Sequence, residues 1–299
     1  MRLRPRLVTS AAALAVAAGL LSPPAAQAAG VRVYPLGDSI TYGATYTLKR
    51  PAGAPTQVPA QTVVSTPGGY RTPLTGLLTA TGIEHEFVGT STQNSNAALD
   101  ALGQNRHNGH PGFRIDQVSN ALDGRSGSGN DLGGYWLSGG TGGGIFPDVA
   151  IVHLGTNDIY QHYDPLVPGR ANLANATQRA TFVAHAGDRL QALVDKIQAL
   201  RPGIRIVLSN VVPLVLPTYD VVVVDYNARV AAIAAGERAR GERVAFADVW
   251  SSFAVQAPTG EIVVVPGLVS PDNAHPTPPG YALMARVYRD GVQAALALP

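Results

Sequence analysis

Five short, continuously apolar runs, interleaved with stretches of helical periodicity, constrain this 299-residue chain more than any other feature. They are VRVYPLG (31–37), EFVGT (86–90), DVAIVHLG (148–155), IRIVLSNVV (204–212) and RVAFADV (243–249). A strand with one face in water alternates apolar and polar residues, whereas a strand covered by helices on both faces does not. Helical patterns fall between the runs. Phe182, Val183, Ala186, Leu190, Leu193, Val194, Ile197 and Leu200 form one stripe that ends at Arg201-Pro202-Gly203. Further patterns cover about 70–80, 113–122, 226–240 and 279–296. Strands alternating with helices predict an α/β fold: a three-layer α/β/α sandwich around a central parallel sheet of about five strands.

Residues 1–28 are set apart from that fold. Arg2, Arg4 and Arg6 precede an apolar stretch from Ala11 to Leu21, and Ala26-Gln27-Ala28 follows. This is the layout of a secretory signal cleaved after Ala28, leaving residues 29–299 as one catalytic-size domain and predicting an extracellular protein. The apolar stretch is too short for a stable membrane span. The formal charge of +2 includes three arginines and no acid from this segment, so the remainder carries −1. Lys49 and Lys196 are its only lysines and no basic run remains, which argues against nucleic acid as a partner. Cysteine is absent, which excludes disulfides, thiol catalysis and cysteine-ligated metals. Two stretches interrupt the alternation, a proline-rich one at 44–69 and a glycine-rich one at 124–144, and both read as long surface loops.

Open α/β sheets bind ligands beyond the carboxyl ends of their strands. Ser39, in PLGDSITYGA, leaves the first run, and Asn157 and Asp158, in HLGTND, leave the third. Near the C-terminus, SPDNAHPTPPGY places Asp272 three residues before His275. One reading of Asp38-Ser39 is a helix cap. The other is an activated nucleophile: imidazole takes the serine proton, a carboxylate fixes the imidazole tautomer, and an amide such as Asn157 donates to the oxyanion.

GDSIT (37–41), GTND (155–158) and DxxHP (272–276) resemble, in order and spacing, three blocks of the SGNH (GDSL-type) hydrolase superfamily. The resemblance spans nearly all of the chain after residue 28. It implies a flavodoxin-like sheet and a serine esterase needing no cofactor or metal, with Ser39 as nucleophile, His275 as base and then acid, and Asp272 as the orienting carboxylate. It also implies an oxyanion hole made by the Ser39 N–H, the Asn157 amide and a glycine N–H from the second block. HNGHPGFRIDQ offers both Gly109 and Gly112 for that place; Gly112 is preferred because it directly precedes the expected helix at 113–122.

GGYR (68–71), GHPGFRIDQ and PDVAIVHLGTND are similar, within the superfamily, to secreted bacterial acetylxylan and related carbohydrate esterases. The partner expected is therefore an ester substrate, an acetylated carbohydrate such as xylan. The alternatives are an extracellular lipase or phospholipase and a noncatalytic carbohydrate-binding protein. The chain departs from these relatives by inserting about twenty residues between Ala44 and Pro67 beside the nucleophile. Tyr42, Tyr70, Phe113, Trp136, Tyr160 and Tyr163 lie near the site segments and suit either sugar stacking or packing. His107, His110, His153 and His162 lack the spacing of metal ligands, and His153, on an apolar run, reads as a core histidine.

Overall fold

The computed structural model describes residues 30–46, 63–124, 135–139, 144–167 and 169–299. The segment expected to be a signal, most of 124–144 and residues 47–62 of the 44–69 stretch therefore lie outside the described residues. In chain order the elements are β1 (Val31–Gly37), α1 (Ser39–Tyr42), β2 (Ala44–Tyr46), β3 (Val63–Ser65), α2 (Arg71–Ala80), β4 (His85–Phe87), α3 (Ala97–Ala101), β5 (Asn108–Gly109), α4 (Ile115–Asp123), β6 (Val149–His153), α5 (Thr156–Gln161), α6 (Ala176–Leu200), β7 (Arg205–Ser209), α7 (Pro217–Ala239), β8 (Val244–Ala247), α8 (Trp250–Phe253), β9 (Ala254–Gln256), β10 (Ile262–Val264) and α9 (Pro278–Leu296).

The five apolar runs form one parallel sheet in the order β4-β1-β6-β7-β8, and the two-residue β5 extends it beside β1. Counting only the five main strands, this is the order 2-1-3-4-5 of flavodoxin-like folds, with its switch point between β1 and β6. β1 coincides with its run, whereas the other four strands end before theirs, because the last residues of those runs turn out of the sheet into the loop that follows. Pro35 is accommodated inside β1 by a gap. The Val33 and Gly37 carbonyls accept from Val88 and His110 on the β4/β5 side, so the missing Pro35 donor faces the interval where β4 has ended and β5 has not begun.

Two apolar cores cover the faces of the sheet. One contains Leu36, Val152 and Leu208 with the inner sides of α4, α6 and α7; the other contains Val33, Ile151 and Val207 with α2 and α9. The stripe from Phe182 to Ile197 is the buried side of α6, which begins earlier than the stripe, where Asn175 accepts from the Gln178 N–H. Helix α7 likewise starts nine residues before the expected 226, with Pro217 in its first turn.

The 44–69 stretch is not a plain loop. Its ends pair as an antiparallel hairpin, β2 with β3, whose stem is docked onto the C-terminal region: Thr45 Oγ1 donates to the Pro276 carbonyl (2.9 Å) and Tyr281 Oη to the Ala44 carbonyl (2.6 Å). Among the described residues no helix is long and apolar enough to cross a membrane.

Candidate active site

Of Asp38 and Ser39, it is Asp38 that takes the capping role. Asp38 is the N-cap of α1, its Oδ1 accepting from the Ile40 N–H at 2.9 Å, and Ser39 is the first residue of that helix. Ser39 Oγ lies 2.8 Å from His275 Nε2, and His275 Nδ1 lies 2.5 Å from Asp272 Oδ2. A carboxylate only accepts, so the neutral ring carries its proton on Nδ1 and turns the Nε2 lone pair toward the serine hydroxyl. The serine and the histidine thus meet across 236 residues of chain.

The loop carrying Asp272 and His275 is held largely by its own bonds. Asp272 Oδ1 accepts from Ser270 Oγ (2.5 Å) and from the backbone N–H groups of Ala274 and His275 (both 3.1 Å). Burial alone raises the Asp272 pKa, but the bonds from His275 and Ser270 prevail and hold it below the usual carboxylate value. Thr277 closes the loop as the N-cap of α9.

Asn157 stands on α5, past the end of β6. Its Nδ2 donates to the Phe113 carbonyl at 3.0 Å, and because an amide nitrogen has two hydrogens, the second remains for another acceptor. Ser39, Thr156, Asn157, Tyr160, Asp272, Ala274 and His275 line one cavity of about 140 Å³. That is well below the ~300–1,000 Å³ of clefts that hold drug-sized ligands.

The two second-block glycines differ in their surroundings. The Gly109 N–H donates to His107 Nδ1 (3.0 Å), and a Cβ there would come within 2.3 Å of the Tyr42 nitrogen, so Gly109 is a close-packing position beside α1. Gly112 has φ +81° in a turn closed by the Phe113 N–H on the His110 carbonyl, with Pro111 before it, the signature of a type II turn. Its N–H has no partner among the described residues, and its carbonyl accepts from Gln161 Nε2 at 2.9 Å. Neither glycine lines the cavity; the Gly112 turn borders it through Asn157.

Several supporting residues were not legible in the sequence. Arg114 donates to Gln161 Oε1 (2.8 Å) and to both Asp116 oxygens, and its guanidinium lies 3.7 Å from the centre of the Tyr163 ring. The buried Asp158 accepts from the Ile115 N–H at the start of α4 and from Arg189 on α6. Burial pushes the carboxyls of Asp38 and Asp158 up to about 6, against the hydrogen bonds that favour their anions. Only the position of Asp158 inside GTND hinted at its place; Gln161 and Ser270 carried no signal.

Of the six histidines other than His275, the four weighed as metal ligands are engaged elsewhere. His153 is fully buried, with Nδ1 2.9 Å from Tyr288 Oη, and burial lowers its pKa to about 3. His107 bonds the Gln93 carbonyl, His110 stacks on Trp136, and His162 lies between the Ala171 carbonyl and Tyr219. Among the described residues no three His, Asp or Glu side chains converge as metal ligands would.

Solved structures share this fold. A family 3 carbohydrate esterase from Clostridium thermocellum is 22% identical with a TM-score of 0.57, the match covering 90% of this chain and 98% of that one. A family 3 carbohydrate esterase from Talaromyces cellulolyticus is 16% identical, also at 0.57, over 90% and 100%. The lipase Lip_vut3 from a goat rumen metagenome is 13% identical at 0.53, over 87% and 97%. No curated protein sequence matches significantly. The profile of the GDSL-like lipase/acylhydrolase family, by contrast, matches residues 36–283. Since that match takes in the serine after β1, the asparagine after β6 and the Asp-His loop before α9, the chain belongs to the GDSL-like lipase/acylhydrolase family and is a carboxylic ester hydrolase of the SGNH type.

Proposed function

We propose that Ser39 attacks a short-chain acyl ester, most suitably an acetyl ester of a plant polysaccharide such as xylan, and that the protein acts outside the cell after removal of residues 1–28. The observation that carries this reading is the unbroken chain Ser39 Oγ–His275 Nε2 and His275 Nδ1–Asp272 at the switch point of the sheet. His275 takes the Ser39 proton as the Ser39 Oγ to carbonyl-carbon bond forms, and Asp272 stabilises the imidazolium. The tetrahedral oxyanion is met by the Asn157 amide and the backbone N–H groups of Ser39 and Gly112. Collapse expels the alcohol, which takes the proton from His275. Water, deprotonated by the same imidazole, then releases the carboxylic acid.

The small cavity favours a small acyl group, because each methylene left in water forgoes about 0.8 kcal/mol of burial. A p-nitrophenyl ester series from acetyl to palmitoyl tests this. Activity highest at acetyl, several-fold lower at butyryl and abolished in Ser39→Ala supports the reading. A maximum at octanoyl or longer transfers the assignment to a lipase, and wild-type turnover in Ser39→Ala overturns the nucleophile.

A further inference from the structure

The aromatic residues around the site do not share one fate. Tyr70, Phe113 and Trp136 are buried in the core, and the Tyr163 ring is covered by Arg114. Tyr160 alone combines a place on the cavity wall with exposure, 52% of its surface facing solvent. A single exposed aromatic needs no explanation by itself. What distinguishes Tyr160 is the construction behind it.

Its ring lies tilted by 33° against that of Tyr219, with centroids 6.1 Å apart. The Tyr219 hydroxyl is 2.9 Å from His162 Nε2, and His162 Nδ1 is 2.8 Å from the Ala171 carbonyl. A carbonyl only accepts, so Nδ1 carries the proton and Nε2 of the neutral ring accepts from Tyr219. His162 occupies the left-handed C-cap of α5 at φ +52°, one turn from the Asn157 that faces the cavity. The pair of rings is thereby fixed from below, and a rigid two-torsion side chain such as tyrosine adds contact at a small entropic cost.

The cavity has room for a small acyl group beside Ser39, so the alcohol portion has to leave past the rim, where Tyr160 stands. Apart from Ala274, the remaining lining, Thr156, Asn157, Asp272 and His275 included, is polar. One flat apolar face within a hydrogen-bonding rim matches a pyranose, which has C–H groups on its face and hydroxyls at its edge, better than it matches an alkyl chain. We propose that Tyr160, braced by Tyr219 and His162, is the platform on which a sugar ring of the alcohol portion stacks. The proposal rests on the reading of Ser39 as the nucleophile of an acylated-carbohydrate esterase.

Acetylated xylotriose and ethyl acetate, which offers no ring, are compared as substrates of the wild type, Tyr160→Ala and Tyr160→Phe. The ratio of kcat/KM on xylotriose to that on ethyl acetate is expected to fall at least fivefold in Tyr160→Ala, mainly through KM, and to return to near wild type in Tyr160→Phe. In the Ser39→Ala background, calorimetry is expected to show at least fivefold weaker binding of acetylated xylotriose when Tyr160 is also alanine. An unchanged ratio in Tyr160→Ala, or a Tyr160→Phe variant as impaired as the alanine, overturns the platform while leaving Ser39 in its role. A wild type that cleaves ethyl acetate but no acetylated glycan overturns the sugar as ligand, and one that cleaves neither overturns the esterase reading itself.

Discussion

The loop that holds the acid-base pair and the turn that borders the oxyanion position are built in opposite ways. Residues 270–277 fold mostly on themselves: one carboxylate oxygen of Asp272 gathers a hydroxyl and two backbone N–H groups from its own loop, while the other faces His275. The turn at 110–113 has one internal bond and is braced from outside, by β1, where the Gly37 carbonyl accepts from the His110 N–H, and by α5, where Asn157 holds the Phe113 carbonyl and Gln161 the Gly112 carbonyl. A locally closed loop keeps its geometry when a neighbouring element shifts. A turn braced from elsewhere inherits the position of its braces, so side chains that touch no substrate tune it.

The largest effect is expected from breaking the local loop. Asp272→Asn replaces the acceptor that fixes the His275 tautomer and should lower kcat on the order of 10⁴-fold, measured on p-nitrophenyl acetate. Retention of a tenth of wild-type activity would show that the loop holds His275 without its carboxylate. Asn157→Ala removes both the proposed oxyanion donor and a brace, and a fall in kcat of about 10²–10³-fold with a nearly constant KM is expected, since the proposed interaction belongs to the transition state.

Gln161→Ala sharpens the comparison because it removes a brace of the turn while leaving Asn157 in place; Arg114, which also loses its bond to Gln161, keeps both Asp116 oxygens. The lost bond to the Gly112 carbonyl, about 0.5–1.5 kcal/mol, corresponds to a kcat reduction of roughly 3–10-fold, with the midpoint of thermal unfolding close to wild type. A Gln161→Ala enzyme with unaltered kcat would mean that the turn keeps its position without the Gln161 brace.

The smallest effect concerns Asp38, between the two regions. Its carboxyl titrates near 6 in the folded chain and near 3.9 when unfolded, so across that interval the native state binds more protons. Raising the pH through it therefore lowers stability, with the full cost present above pH 6. Asp38→Asn still caps α1 through its amide oxygen and escapes this cost. A higher Tm than wild type at pH 7, by a few degrees, shrinking toward zero at pH 4, is the expected pattern in thermal scans. A difference that grows on acidification would contradict the assignment.

The same contrast separates what could be read from the chain alone. Strand β1 was legible to the residue, since its apolar run is stopped by Gly37, and the Asp272-x-x-His275 spacing sufficed because both members belong to one loop. The hairpin stem at 44–46 and 63–65 was not, because a three-residue strand has no periodicity to detect and its partner lies far along the chain. Nor was the choice between Asp38 and Ser39 as helix cap, which one torsional step at the strand end decides.

By itself the sequence determined the layered α/β architecture, the order of its parallel strands' chemistry and the segments that carry serine, asparagine, aspartate and histidine, because periodicity and short motifs are properties of neighbouring residues. Tertiary structure alone decided that Ser39 and His275 stand 2.8 Å apart, that Gly109 is packed against α1 while the Gly112 N–H has no partner among the described residues, and that of six nearby aromatics only Tyr160 is exposed on the cavity wall. Those outcomes depend on distances between residues tens to hundreds of positions apart, which are fixed only when the two cores close on the sheet and bring the strand ends to one edge.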